Sequence, residues 1–143
     1  MPKQNYLLDA CALLAYLDDE KGADIVTELL NRAKSREITL SINVVNLIEV
    51  YYNRIRTVGS EEADTTIRDI YDTFPFFIIE TLNRKIANEA AYYKSTGKMS
   101  FADSILVATA KCIGATVVTC DHVELEPVEQ QGQIAFLWIR PQF

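Results

Sequence analysis

Short apolar or β-branched runs alternate along this chain with longer segments of helical period. Asn5–Leu8, Ile38–Ile42, Phe76–Ile79, Thr116–Cys120 and Ala135–Ile139 have the length and composition of strands. The first and fourth of these runs lead directly into an aspartate, Asp9 and Asp121. Between the runs lie helical signals. Ser60 followed by Glu61, Glu62 and Asp64 marks a helix start with acids in the first turn, where the dipole favours them. Ala63, Ile67, Ile70, Tyr71 and Phe74 then form one apolar stripe, and Pro75 ends it. Leu82, Ile86, Ala90 and Tyr93 make a second stripe that stops near Gly97. Ser100 to Ile113 reads as a third helix, with Gly114 placed for a left-handed cap.

Strands alternating with helices predict an α/β fold, a mainly parallel sheet of about five strands flanked by helices. No repeat, low-complexity tract or Gly/Pro-rich linker divides the chain, so residues 1–143 read as one domain. At 49% hydrophobic and 24% charged residues, the composition is that of a globular chain. The apolar stretch Ala10–Leu17 is too short to span a bilayer and lacks a basic lead, so neither a membrane segment nor a leader peptide is expected. Three cysteines (Cys11, Cys112, Cys120) form no even framework, which predicts reduced thiols and a cytoplasmic location. Fourteen Lys and Arg against 20 Asp and Glu leave a net charge of −6, unlike a protein that coats DNA. Acids gathered around a metal ion would count toward that deficit.

Four acids stand out. In open parallel sheets ligands bind outside the carboxyl ends of the strands, and that rule puts Asp9 and Asp121 at the working edge. Glu49 sits within Val44–Tyr52, apolar on nearly every side, where a carboxylate needs a partner. Asp103 follows Ser100 at capping-box spacing and opens the helix that leads into the fourth strand. Each has a plain structural alternative as a cap, a turn residue or a salt-bridge partner. Together they predict a shared pocket. Two carboxylates about 6 Å apart repel by roughly 3 kcal/mol at an effective dielectric near 20, a penalty that a hard divalent cation removes. Oxygen-only donors suit Mg²⁺ or Mn²⁺. Cys11 and His122 lie near the same acids and raise zinc as the weaker option.

These residues resemble a family. Leu7–Leu17, with Asp9 near its start, looks like the opening of a PIN domain of the VapC toxin type. Ile48-Glu49-Val50 looks like its helical glutamate, Phe101–Ala110 resembles its third acidic motif, and Gly114–Asp121 the fourth. The resemblance covers nearly the whole chain, in order. It implies a parallel sheet with Asp9, Glu49, Asp103 and Asp121 facing one pocket, Mg²⁺- or Mn²⁺-dependent cleavage of RNA, a homodimer, and an antitoxin partner. Two positions depart from the family's pattern. Cys11 stands where a hydroxyl residue is common, and Cys120 where a basic residue often precedes the fourth acid.

For such chemistry Asp9 and Asp103 are the principal metal ligands expected, with Glu49 and Asp121 completing the pocket. Arg54, Arg56, Arg84 and Lys85 are candidate RNA contacts, with Tyr51 and Tyr52 as stacking platforms or dimer contacts. The apolar surplus of Val44–Ile55 points to a twofold partner. Other classes fit less well. The five glycines are scattered singly, which excludes a dinucleotide-binding loop. A haloacid-dehalogenase-type phosphatase needs an acid where Cys11 stands, and a receiver domain needs Asp where Glu80 follows the middle strand. A hydrolase built on Cys11 and His122 needs an orienting group. The remaining rival is a PIN-like module that binds RNA or protein without cutting.

Overall fold

The computed structural model describes residues 2–142. Five strands, β1 (Gln4–Leu8), β2 (Ile38–Asn43), β3 (Phe77–Ile79), β4 (Thr116–Thr119) and β5 (Phe136–Trp138), form one sheet in the order β3-β2-β1-β4-β5. All four pairings are parallel, so the expected α/β class holds, and each expected strand forms within a residue or two of its predicted ends.

Among the described residues seven helices connect the strands: α1 (Ala10–Leu17), α2 (Ala23–Lys34), α3 (Val44–Val58), α4 (Ser60–Asp72), α5 (Arg84–Thr96), α6 (Phe101–Ile113) and α7 (His122–Gln130). Alternation along the strands separates two apolar layers. Leu8, Leu40, Ile42 and Val118 pack with α1 to α4, while Leu7 and Val117 pack with α5, α6 and α7. The third and fourth strands of the chain leave β1 on opposite sides, so the order reverses between β1 and β4. At such a reversal the two following connections run to opposite faces, and a crevice opens beyond the strand ends. Asp9 and Asp121 lie there.

Two helices carried no clear sequence signal. Helix α2 opens on Gly22 at φ +101°, without a side-chain cap. A Cβ at Gly22 would stand 2.7 Å from the Ile139 carbonyl oxygen, so only glycine permits this close approach to the chain after β5. Helix α7 contains Pro127, which normally argues against a helix interior. No helix among the described residues is long and apolar enough to cross a membrane.

Candidate active site

Each expected acid reaches the crevice by a different local device. Asp9 follows β1, its amide donating to the Val118 carbonyl at 3.1 Å. Its Oδ1 caps α1 by accepting from the Ala12 amide at 2.8 Å, and its Oδ2 accepts from the Thr119 hydroxyl. The Thr119 hydroxyl oxygen in turn accepts from the Asp121 amide at 3.0 Å. One threonine therefore fixes two of the acids. Asp121 caps α7, accepting from the Glu124 amide at 3.3 Å. Glu49 lies on α3 and accepts from Asn46 Nδ2 at 2.9 Å.

Asp103 shows how a capping motif is put to a second use. Ser100 Oγ accepts from the Asp103 amide at 3.1 Å, the expected half of a capping box. The reciprocal half is taken over by Glu124, whose Oε1 accepts from the Ser100 amide at 3.0 Å. The Asp103 carboxyl is thereby released from the cap and faces the other acids. Glu124 had no place in the sequence reading, although Asp121-x-x-Glu124 itself has capping-box spacing.

The five side chains converge. Asp9, Glu49, Asp103, Asp121 and Glu124 line one cavity of about 130 Å³, together with Cys11 and Ser100. Asp103, Asp121 and Glu124 each offer a carboxylate oxygen within 4.8 Å of the others. Burial pushes the Asp9 carboxyl up to about 7; hydrogen bonds from Thr119 and Ala12 oppose this, and the charges of Asp121 and Glu49 add to it. Asp103 is lifted to about 9 by burial first, then by its contact with Glu124 and the surrounding charges. Glu124 moves the opposite way, lowered by its contact with Asp103, so the two titrate as one coupled pair. Burial also raises Glu49 and Asp121. A set of oxygen donors held close together and costly to ionise is matched to a hard divalent cation, and the residues fit one.

The zinc option finds no support. His122 is turned to Glu126 (Nδ1···Oε2 2.7 Å) and to the Arg140 carbonyl (Nε2···O 2.8 Å), and its ring stacks on Trp138 with centroids 4.0 Å apart. Cys11 is joined to Cys120 by a disulfide, Cα to Cα 6.1 Å, which corrects the expectation of free thiols at these two positions. Neither a sulfur–imidazole metal site nor a Cys-His hydrolase remains. Strand ends 109 residues apart meet here, a proximity that sequence spacing does not reveal. Only Cys112 stays free among the described residues.

The cations expected to hold RNA are spread out. Arg54 is buried and its guanidinium is held by Asp18 and, at 3.9 Å, by Glu62. Arg56 lies over the Tyr52 ring at 5.0 Å. Arg84 and Lys85 are exposed at the start of α5, about 18 Å along the helix from its end near Ser100. None of the four lines the acidic cavity.

Fold and site together define a class. The PIN domain family model matches residues 6–126, and the chain belongs to the PIN domain family. No curated protein matches it in sequence. Its fold is similar to that of VapBC2 from Rickettsia felis bound to a DNA fragment from their promoter, with TM-score 0.71, 18% identity, and coverage of 94% of this chain and 98% of that one. The DNA-bound VapBC of Salmonella typhimurium gives 0.70 at 16% identity, covering 96% and 99%. Mycobacterium tuberculosis VapC20, described as a Sarcin-Ricin loop cleaving toxin, gives 0.61 at 14% identity, covering 85% and 94%.

Proposed function

We propose that this PIN domain is a Mg²⁺- or Mn²⁺-dependent endoribonuclease acting in the cytoplasm as the toxin of a toxin–antitoxin pair. The observation that carries the reading is the convergence of five carboxyls at the point where the strand order reverses, three of them within 4.8 Å of one another. The similarity to toxin–antitoxin structures supports a protein antitoxin as partner.

Asp103, Asp121 and Glu124 would hold the ion, with Asp9 close behind them on the Thr119 hydroxyl. A bound divalent ion supplies charge neutralisation at the phosphate and an activated water. Glu49, steadied by Asn46 and raised by burial, would accept a proton from the attacking water. Ile48, Tyr52 and Ile55, exposed at i, i+4 and i+7 on α3, support a homodimer.

The test uses end-labelled single-stranded RNA with Mg²⁺, Mn²⁺ or EDTA. Cleavage requiring the ion, and reduced about 100-fold or more in Asp103→Asn, is the expected result. RNA bound but uncut under both metals would instead establish the non-cleaving module.

A further inference from the structure

A cavity of about 700 Å³ adjoins the acidic pocket and shares a wall with it. It lies between the end of α5, the turn at 97–100 and α7, and Glu124 lines both cavities. Volume in this range accommodates a small ligand. Its lining is mixed in a particular way. Tyr92 is 63% exposed, and its ring forms a T-shaped pair with that of Tyr93, centroids 6.0 Å apart. Met99 forms an apolar floor, Lys98 supplies an exposed cation, and Gln131 and Gln133 supply exposed amides. The turn is held in place by the Lys94 amine, which donates to the Met99 carbonyl at 2.9 Å.

An unpaired nucleotide is recognised by an aromatic face for the base, a cation for the phosphate, and amide or carbonyl groups for the base edge. All three are present in this cleft, and it continues directly from the acids. A strand with one phosphate over the acidic pocket must send a neighbouring nucleotide somewhere, and this cleft is the adjoining space. We propose that the cleft is the subsite for one unpaired nucleotide flanking the scissile phosphate, stacked on Tyr92 with its phosphate toward Lys98. The inference rests on the ribonuclease reading for its substrate, and it relocates the basic contact from Arg84 and Lys85 to Lys98.

Two measurements test it. Adenosine and uridine 5′-monophosphate are titrated into ¹⁵N-labelled protein in EDTA, with amide shifts expected at Tyr92, Lys98, Met99 and Gln133. In steady-state cleavage of a single-stranded RNA nonamer, Tyr92→Ala and Lys98→Ala should each raise KM about tenfold, while Tyr92→Phe, which keeps the ring, should not. Nucleotide shifts in the cleft without any RNA cleavage would sustain the subsite and overturn the nuclease reading. Cleavage with KM unmoved by Tyr92→Ala and Lys98→Ala would do the reverse. Shifts at the cleft that follow protein concentration rather than added nucleotide would assign it to a second copy and overturn the proposal.

Discussion

Asp9 is a carboxyl with two structural duties and a cost. It caps α1 through Ala12 and anchors Thr119, yet burial raises it to about 7. Its proton is held more tightly folded than unfolded, so its contribution is fully present below about pH 4 and is lost as pH rises toward 7. The full loss is on the order of 4 kcal/mol. Asp9→Asn keeps an oxygen for the Ala12 amide and removes the charge. At pH 7.5 without metal the variant should therefore melt at the parent's temperature or above it, and the two should draw level near pH 4. Mg²⁺ should raise the parent's midpoint and the variant's much less, since a ligand bound only by the native state stabilises by mass action. Calorimetry at the two pH values decides it; a variant that is less stable at pH 7.5 and equally responsive to Mg²⁺ would make the carboxylate purely structural. Four of the five converging acids were legible in the sequence: Asp9 and Asp121 follow strand-like runs, Glu49 lies inside an apolar helix, and Asp103, which locally reads as half of a capping box, opens the helix that leads into the fourth strand. Glu124 and Thr119 had no such placement. A glutamate in a polar stretch and a threonine in a β-branched run look ordinary until the fold brings them to Asp103 and Asp9.

The elements were legible to the extent that periodicity alone determines them. Strands β1, β2 and β4 are short apolar or β-branched runs, largely buried, and α4, α5 and α6 have stripes with clear stops. Helix α2 escaped notice because its start depends on Gly22 against Ile139, a contact between distant segments. Helix α7 escaped because Pro127 suppresses it locally, while the cap at Asp121 and the burial of Leu125 and Val128 sustain it. Helix α3 carries an excess that the fold leaves in solvent. Ile48, Tyr52 and Ile55 are 58%, 44% and 41% exposed at i, i+4 and i+7, one continuous ridge. Such a ridge supports a twofold partner. Light scattering at tens of micromolar should find a dimer, and the double substitution Ile48→Glu with Tyr52→Glu should give a folded monomer. A parent that is monomeric at that concentration would remove α3 as a self-association face.

At the scale of the whole molecule, the sheet order makes the site, and the two departures from the family's pattern meet there. Because β1 and β4 are neighbours, the residues after them are brought together although far apart in the chain, and that holds for Cys11 and Cys120 as much as for Asp9 and Asp121. The structure joins the two cysteines with the five acids still lining one cavity, so the disulfide and the pocket are compatible. Closing a loop across a separation of 109 residues restricts the unfolded chain strongly, with a chain-entropy ceiling of about 5 kcal/mol. For a domain of this size each kcal/mol corresponds to roughly 2–4 °C, so reduction should lower the midpoint by about 5 °C or more even when the staple delivers half its ceiling. Cys11→Ser with Cys120→Ser should melt at the reduced parent's temperature, lose all dependence on reductant, and keep its stabilisation by Mg²⁺. Air-oxidised protein in which mass spectrometry finds both thiols free, with a midpoint indifferent to reductant, would show that β4 and α1 are held together by packing alone.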